Sequence, residues 1–171
     1  YASSLSKIGN RLFVGASSGV GTSGAEMWSC NVSGTCNATT GWSRIAGNYL
    51  NKSWGAFNLN SVESLTTIGG KLYAGTGYNT GAATSNGNAQ VWEFDGTNWT
   101  IIGGQGVNGS WAYGHPSMAT PTIRSVTSMT GYNGNLVVGL GGSTAGNAQV
   151  WKWNGTIWSQ IGGGGTGAGG Q

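Results

Sequence analysis

The sequence contains three copies of one pattern, and this repetition constrains the possible folds more than any other feature does. The first halves of the copies are SLSKIGNRLFVGASSG from Ser4, SLTTIGGKLYAGTGYN from Ser64 and SMTGYNGNLVVGLGGS from Ser128. The second halves are AEMW up to Trp28, NAQVWEFDGTNWTIIGG from Asn88 and NAQVWKWNGTIWSQIGG from Asn147. We therefore divide the chain into repeat units 1–60, 61–124 and 125–171, which together form one domain over 1–171.

Each unit contains four short runs in which apolar and polar residues alternate, as expected of β-strands. In the second unit these runs are 62–68, 71–76, 89–94 and 99–102. Three dipeptides that tolerate positive φ predict tight hairpin turns: Gly69-Gly70, Asp95-Gly96 and Asn154-Gly155. The sequence therefore predicts four antiparallel strands in each unit.

The composition excludes two other kinds of chain. Charged residues make up 6% of the sequence and there are 35 glycines, but the nine tryptophans are unlike a disordered chain, which is poor in aromatic residues. Glycine scattered through the whole chain also disfavours helices. Tryptophans recur in the middle of the third strands, and we expect these residues to be core: Trp28, Trp92 and Trp151.

Three four-stranded repeats of about 60 residues predict an all-β fold made of β-propeller blades. A β-sandwich does not account for the threefold repetition, and a parallel β-helix has a shorter repeat. A propeller closes with about four to eight blades. Three blades are therefore a partial propeller or half of a six-bladed ring, and the missing blades come from a second chain or from the rest of a longer chain.

The segments GGKLYAGTG and AQVWEFDGTNW resemble the kelch type of propeller repeat, with its Gly-Lys-Leu-Tyr strand and its later aromatic–Asp–turn–Trp hairpin. The resemblance extends over all three units. The double glycine that usually closes the second kelch strand is reduced to Gly15 or Gly75 followed by a small residue. The resemblance implies a kelch-like propeller of the secreted, lectin-like or surface type.

Cys30 and Cys36 are the two cysteines, and His115 is the one histidine. A zinc site would need four ligands, so we do not expect a metal site. We expect instead that the two cysteines form a disulfide that closes a short loop. A disulfide implies an oxidising compartment, and we expect a secreted or cell-surface protein. The seven basic residues are spread singly, so nucleic acid is not an expected partner, and no apolar run is long enough to predict a membrane span.

The sequence does not predict an enzyme. The four carboxylates do not form a clear catalytic pair, and His115 lies without a matching nucleophile and acid. No cofactor and no catalytic residue are expected.

A short pattern recurs in the segments that connect consecutive units. Tryptophan stands there beside amide and hydroxyl groups, as in sites that bind sugars through ring stacking and hydrogen bonds. The candidate ligand-binding residues are Asn51, Ser53, Trp54, Asn108, Ser110, Trp111 and Tyr113. The alternative is that Trp54 and Trp111 staple one blade to the next.

Two functions are compatible with these features. The first is a non-catalytic extracellular module that binds carbohydrate, such as glycans or a cell-surface polysaccharide, through the aromatic loops between blades. The alternative is a structural or adhesive subunit of an extracellular assembly, fibre or surface layer.

Overall fold

The computed structural model describes residues 1–17, 24–34, 36–37, 39–55, 59–77, 89–111, 123–142 and 148–163. These residues form an all-β fold with antiparallel sheets and two short 3-10 turns, Leu50–Lys52 and Val107–Gly109. The first four strands are β1 Ala2–Ile8, β2 Arg11–Ala16, β3 Glu26–Asn31 and β4 Trp42–Ala46. The next four are β5 Ser61–Ile68, β6 Lys71–Gly77, β7 Val91–Phe94 and β8 Trp99–Gly103. The last four are β9 Ile123–Tyr132, β10 Asn135–Gly142, β11 Gln149–Trp153 and β12 Trp158–Gly163.

Consecutive strands pair antiparallel within each group of four. We call β1–β4 the first unit, β5–β8 the second unit and β9–β12 the third unit. One bridge between Gly77 and Ser125 joins the second and third units into an eight-stranded sheet. β9 begins at Ile123, two residues before the boundary that the repeat alignment suggested.

The four strands expected in the second unit are confirmed, with ends that differ from the expected ones by at most two residues. Their turns follow from local chemistry. Gly69 and Gly70 have φ of 58° and 79°, a conformation that residues with a Cβ rarely adopt. In the hairpin turn between β7 and β8, the carboxylate of Asp95 accepts hydrogen bonds from the amides of Thr97 and Asn98, both at 2.8 Å. Glycine and aspartate thus determine where these strands end.

The core lies between neighbouring units, and the first strands of the units pack side by side, β1 against β5 and β5 against β9. One cluster joins the first and second units: Phe13, Ala25, Met27, Ile45, Ala46, Trp54, Leu59, Val62, Leu72, Ala74, Phe94 and Trp99. The other joins the second and third units: Tyr73, Ala89, Val91, Ile102, Trp111, Ile123, Val126, Leu136, Val138, Leu140, Trp153 and Trp158. Each unit therefore buries apolar residues against the next one.

The two faces of a unit have different roles. We call the face that contacts the following unit the forward face, and the face that contacts the preceding unit the rear face. Equivalent residues occupy both internal forward faces, Met27 and Ile45 in the first unit and Val91 and Ile102 in the second. Two successive rear faces likewise contain Leu72 with Trp99 and Leu136 with Trp158.

Candidate functional site

The connectors between units are built by the repeated Asn-Xaa-Ser-Trp pattern. Asn51 and Asn108 have φ of 53° and 54°, a left-handed conformation that asparagine tolerates better than most residues. The side-chain amide of Asn51 donates to the carbonyl of Ile45 at 3.1 Å, and that of Asn108 donates to Ile102 at 3.1 Å. Each asparagine thus ties its connector to the last strand of the unit before it.

The serines of the pattern are buried and act in the same way. The hydroxyl oxygen of Ser53 accepts from the amide of Gly47 at 2.8 Å, and that of Ser110 accepts from Gly104 at 2.8 Å. Both glycines have positive φ. The serine hydroxyl therefore satisfies a buried backbone amide at the point where the chain leaves the fourth strand.

Trp54 and Trp111 are 3% and 5% exposed. The Nε1–H of Trp54 donates to the carbonyl of Ala25 at 2.6 Å, and that of Trp111 donates to Ala89 at 2.8 Å. Each indole also meets two tryptophans of the following unit edge-on, with centroid distances between 5.2 and 5.7 Å. Both rings therefore contact two consecutive units at once.

These contacts concern the ligand-binding site that the sequence predicts at the connectors. The polar side chains of the Asn-Xaa-Ser-Trp pattern form hydrogen bonds with backbone groups, and both indole rings lie inside the junctions. This is the arrangement expected of residues that staple one unit to the next. Stacking of a sugar on Trp54 or Trp111 would require the junction to open. Their role in ligand binding stays a prediction, and Tyr113, like His115, lies outside the described residues.

A second set of contacts, not predicted from the sequence, crosses each junction. The Nε1–H of Trp99 donates to the carbonyl of Ile45 at 3.0 Å, and that of Trp158 donates to Ile102 at 2.7 Å. On the first strands, serine hydroxyls donate hydrogen bonds to carbonyls of the next unit. Ser4 donates to Val62 at 2.7 Å and Ser64 donates to Val126 at 2.8 Å. The recurrence of these tryptophans and serines at matching repeat positions was the available signal.

Glycine permits this close approach. A Cβ placed on Gly15 would lie 2.7 Å from the Cβ of Val62, and one on Gly75 would lie 2.8 Å from the Cβ of Val126. Real side-chain carbons do not come this close. The glycine of the second strand is therefore the seat for the first strand of the next unit.

The mid-strand tryptophans lie at the edge of the core. Trp92 and Trp151 are partly buried and pack against the two clusters. Trp28 is also only partly buried, and its Nε1–H donates to the carboxylate of Glu26 at 3.1 Å. The expectation that these three residues form the core is therefore met only in part. The connector tryptophans cover Trp92 and Trp151 edge-on without enclosing them, and Trp28 makes no such ring contact within the described residues.

All four carboxylates of the sequence have structural partners. Glu26 forms an ion pair with Arg44 at 2.9 Å. Glu63 accepts a hydrogen bond from Ser61. The remaining two are Glu93, paired with Lys71 at 2.7 Å, and Asp95 of the turn.

Two pKa shifts follow from these contacts. Backbone hydrogen bonds from Asn98 and then Thr97 lower the pKa of the exposed Asp95 carboxyl. Burial, followed by the charge and hydrogen bond of Glu93, raises the pKa of Tyr73 to about 12. Both shifts are explained by the turn and by the junction, without reference to a reaction.

Cys30 and Cys36 form a disulfide, as expected. The bond is compatible with an oxidising compartment. Within the described ranges no group of three or more His, Cys, Asp or Glu side chains is arranged to hold a metal ion. In the same part of the chain, no helix has the length and apolarity needed to cross a membrane.

Within the described ranges, two cavities adjoin the first unit at the end where β1 turns into β2. The larger has a volume of about 370 Å³ and is lined by Ile8, Asn10, Arg11, Ser29, Cys30, Asn31, Gly41 and Ser43. The smaller has about 200 Å³ and lies between the first and second units, lined by Ile8, Arg11, Phe13, Gly70, Leu72, Phe94, Asp95 and Gly96. Arg11 borders both cavities, and its guanidinium lies 5.7 Å from the centroid of Phe13.

Comparison with known proteins adds no family assignment. No protein-family model matches this sequence, and no curated protein matches it. The resemblance to kelch-type repeats therefore stays a prediction.

Proposed function

We propose that the chain is a run of three β-propeller blades and that it serves as a non-catalytic structural subunit of an extracellular assembly. The observation that carries this proposal is the repetition of one junction. The first and second units join through the same hydrogen bonds, glycine seat and tryptophan staple as the second and third units.

The propeller assignment has three supports. Each unit pairs its four strands in chain order, the first strands of successive units lie side by side, and the apolar clusters lie between units. Blades stacked around a common axis have all three properties. The disulfide supports the extracellular part of the proposal.

The role in assembly follows from the chemistry of stacking. A repeat that buries its apolar face only against a neighbour leaves a similar face open at each end of the series. Such faces bind further blades, whether these belong to another chain or to the same one. The four carboxylates, which are engaged in structural contacts, support a role that does not depend on catalysis.

The experiment is absolute mass by light scattering behind size exclusion, over at least a hundredfold range of concentration. We expect association into a larger species as concentration rises. A chain that stays monomeric over the whole range would contradict the role in assembly.

A second candidate is carbohydrate binding, and the larger cavity favours it. Its lining offers the amides of Asn10 and Asn31, the hydroxyl groups of Ser29 and Ser43, and the guanidinium of Arg11, which donates to Ser29 at 3.2 Å. Groups of this kind form hydrogen bonds with sugar hydroxyls. A neutral or acidic glycan of a cell-surface polysaccharide fits this lining.

The test is a glycan array with the wild-type chain and Arg11→Gln, with Lys7→Gln as the matched control. Lys7 is exposed and does not line either cavity. Loss of signal in Arg11→Gln alone supports a glycan site at the cavity. Equal signals for all three proteins, or no signal with the wild type, contradict it.

A further inference from the structure

We infer that the forward face of the third unit binds the rear face of the first unit in a second copy of this chain. This inference rests on the proposed function and names the partner and the contacts. Two copies joined in this way supply six blades, within the range of about four to eight that closes a propeller.

Within the described residues, the forward face of the third unit is not covered by another unit. Ile161 is 53% exposed, whereas its equivalent Ile102 is 7% exposed under the third unit. Val150 is 37% exposed, whereas its equivalent Val91 is fully buried. The same apolar positions are thus covered at the second unit and uncovered at the third.

The polar atoms of this face also match those of the internal junctions. Ser128 occupies the position of Ser4 and Ser64, opposite Gly139 in the register. The three atoms nearest to a Cβ on Gly139 would be side-chain atoms of Ser128 and Thr127, whereas at Gly15 and Gly75 they include atoms of a valine from the following unit. The face therefore presents a hydroxyl donor at Ser128, an empty glycine seat and the backbone carbonyl of Ile161.

The rear face of the first unit offers the complementary groups. Ala2 stands where Val62 and Val126 accept a serine hydroxyl at the internal junctions. Trp42 stands where Trp99 and Trp158 donate to a carbonyl, but it is only partly buried, and among the described residues its Nε1–H has no acceptor. Leu5 on the same face is 63% exposed.

Each of the two faces contributes one hydrogen-bond donor and one acceptor to the junction. Ser128 donates to the carbonyl of Ala2 in the other copy, and Trp42 of that copy donates to the carbonyl of Ile161. The partner is a second copy because its first unit carries the acceptor position of Ala2 and the donor Trp42, which correspond to the groups used at the internal junctions. The contact is heterologous, and it closes when two identical junctions form in one ring.

The test uses aspartate substitutions on exposed apolar residues, so that the fold of the single chain is little affected. Ile161→Asp places a charge on the forward face and Leu5→Asp places one on the rear face. The matched controls are Ile157→Asp, at a residue that is 54% exposed and lies against the connector at Gly109, and Val32→Asp in the loop after β3.

Mass by light scattering should show a wild-type dimer that both controls retain. Each face variant should be monomeric, with a dissociation constant raised at least about 100-fold, because an unpaired carboxylate is buried at both junctions. Mixing the two face variants should restore association in part, since the unaltered forward face of Leu5→Asp meets the unaltered rear face of Ile161→Asp. A symmetric contact between identical patches would not be rescued in this way.

The experiment distinguishes a failure of the proposed role in assembly from a failure of the head-to-tail pairing. A wild-type chain that stays monomeric overturns both the proposed function and this inference. A dimer that both face variants retain, a mixture without rescue, or unlimited growth into larger species overturns the head-to-tail pair and leaves the role in assembly standing.

Discussion

Gly75→Ala tests whether glycine seats the following unit. The added Cβ would lie 2.7 Å from the Cγ1 and 2.8 Å from the Cβ of Val126, whereas ordinary contact begins at 3.4 Å. Strands β6 and β9 would have to separate by about 0.6–0.7 Å, which pulls apart the serine hydrogen bond between β5 and β9 and the apolar cluster beside it. Overpacking of this kind costs about 2–3 kcal/mol of unfolding free energy.

The matched control is Gly139→Ala, at the equivalent position of the third unit. There the added Cβ would lie 2.5 Å from the hydroxyl of Ser128, which can rotate away, and the other nearest atoms belong to the side chains of Ser128 and Thr127. We expect a cost below about 1 kcal/mol. Both changes should be made in the Ile161→Asp background, so that association between copies does not contribute to the measured stability.

The assay is thermal and urea unfolding of both variants, followed by tryptophan fluorescence. For a chain of this length, a loss of 2–3 kcal/mol lowers Tm by roughly 5–10 °C. If Gly75→Ala and Gly139→Ala differ by less than about 0.5 kcal/mol, the argument for a glycine seat is refuted.

Three further predictions concern other contacts. Trp111→Phe should lower the free energy of unfolding by about 2 kcal/mol, because it leaves the buried carbonyl of Ala89 without its hydrogen-bond donor. Trp28→Phe, the control, should lower it by less than about 1 kcal/mol. Urea unfolding of both variants measures the two losses, and equal losses would contradict this prediction. Reduction of Cys30–Cys36 should lower Tm by roughly 4–8 °C, since the disulfide closes a short loop worth about 2 kcal/mol, and an unchanged Tm in reductant would speak against it. The raised pKa of Tyr73 favours the neutral phenol in the folded state, so its stabilisation is complete below pH 10 and is lost as the pH rises toward 12. Tm of the wild type should therefore fall more steeply over this interval than that of Tyr73→Phe, and parallel curves would disprove the shift.

Much of the fold could be predicted because strands and hairpins depend on neighbouring residues. Alternation located β5 to β8 within two residues at each end, and Gly69-Gly70 marked a turn. The disulfide also followed from the spacing of two cysteines. These features need no information about how the units are stacked.

The roles of the tryptophans could not be derived in the same way. Trp54 in a connector and Trp92 in a strand were both candidates for burial, and the connector residue proved to be the more buried of the two. Burial of a side chain on a sheet depends on whether a neighbouring unit covers that face. This cover comes from residues about 40 to 60 positions away, which local periodicity does not contain.

The sequence by itself determined that the chain forms strands in three equivalent groups of four, because alternation, turn residues and repetition are local or periodic properties. Only the tertiary structure decided which residues join the groups and which stay open. Val91 and Val150 stand in equivalent positions of the repeat, yet one is buried and the other exposed. The physical reason is that burial belongs to a pair of surfaces, and the third unit has no following unit within the described chain.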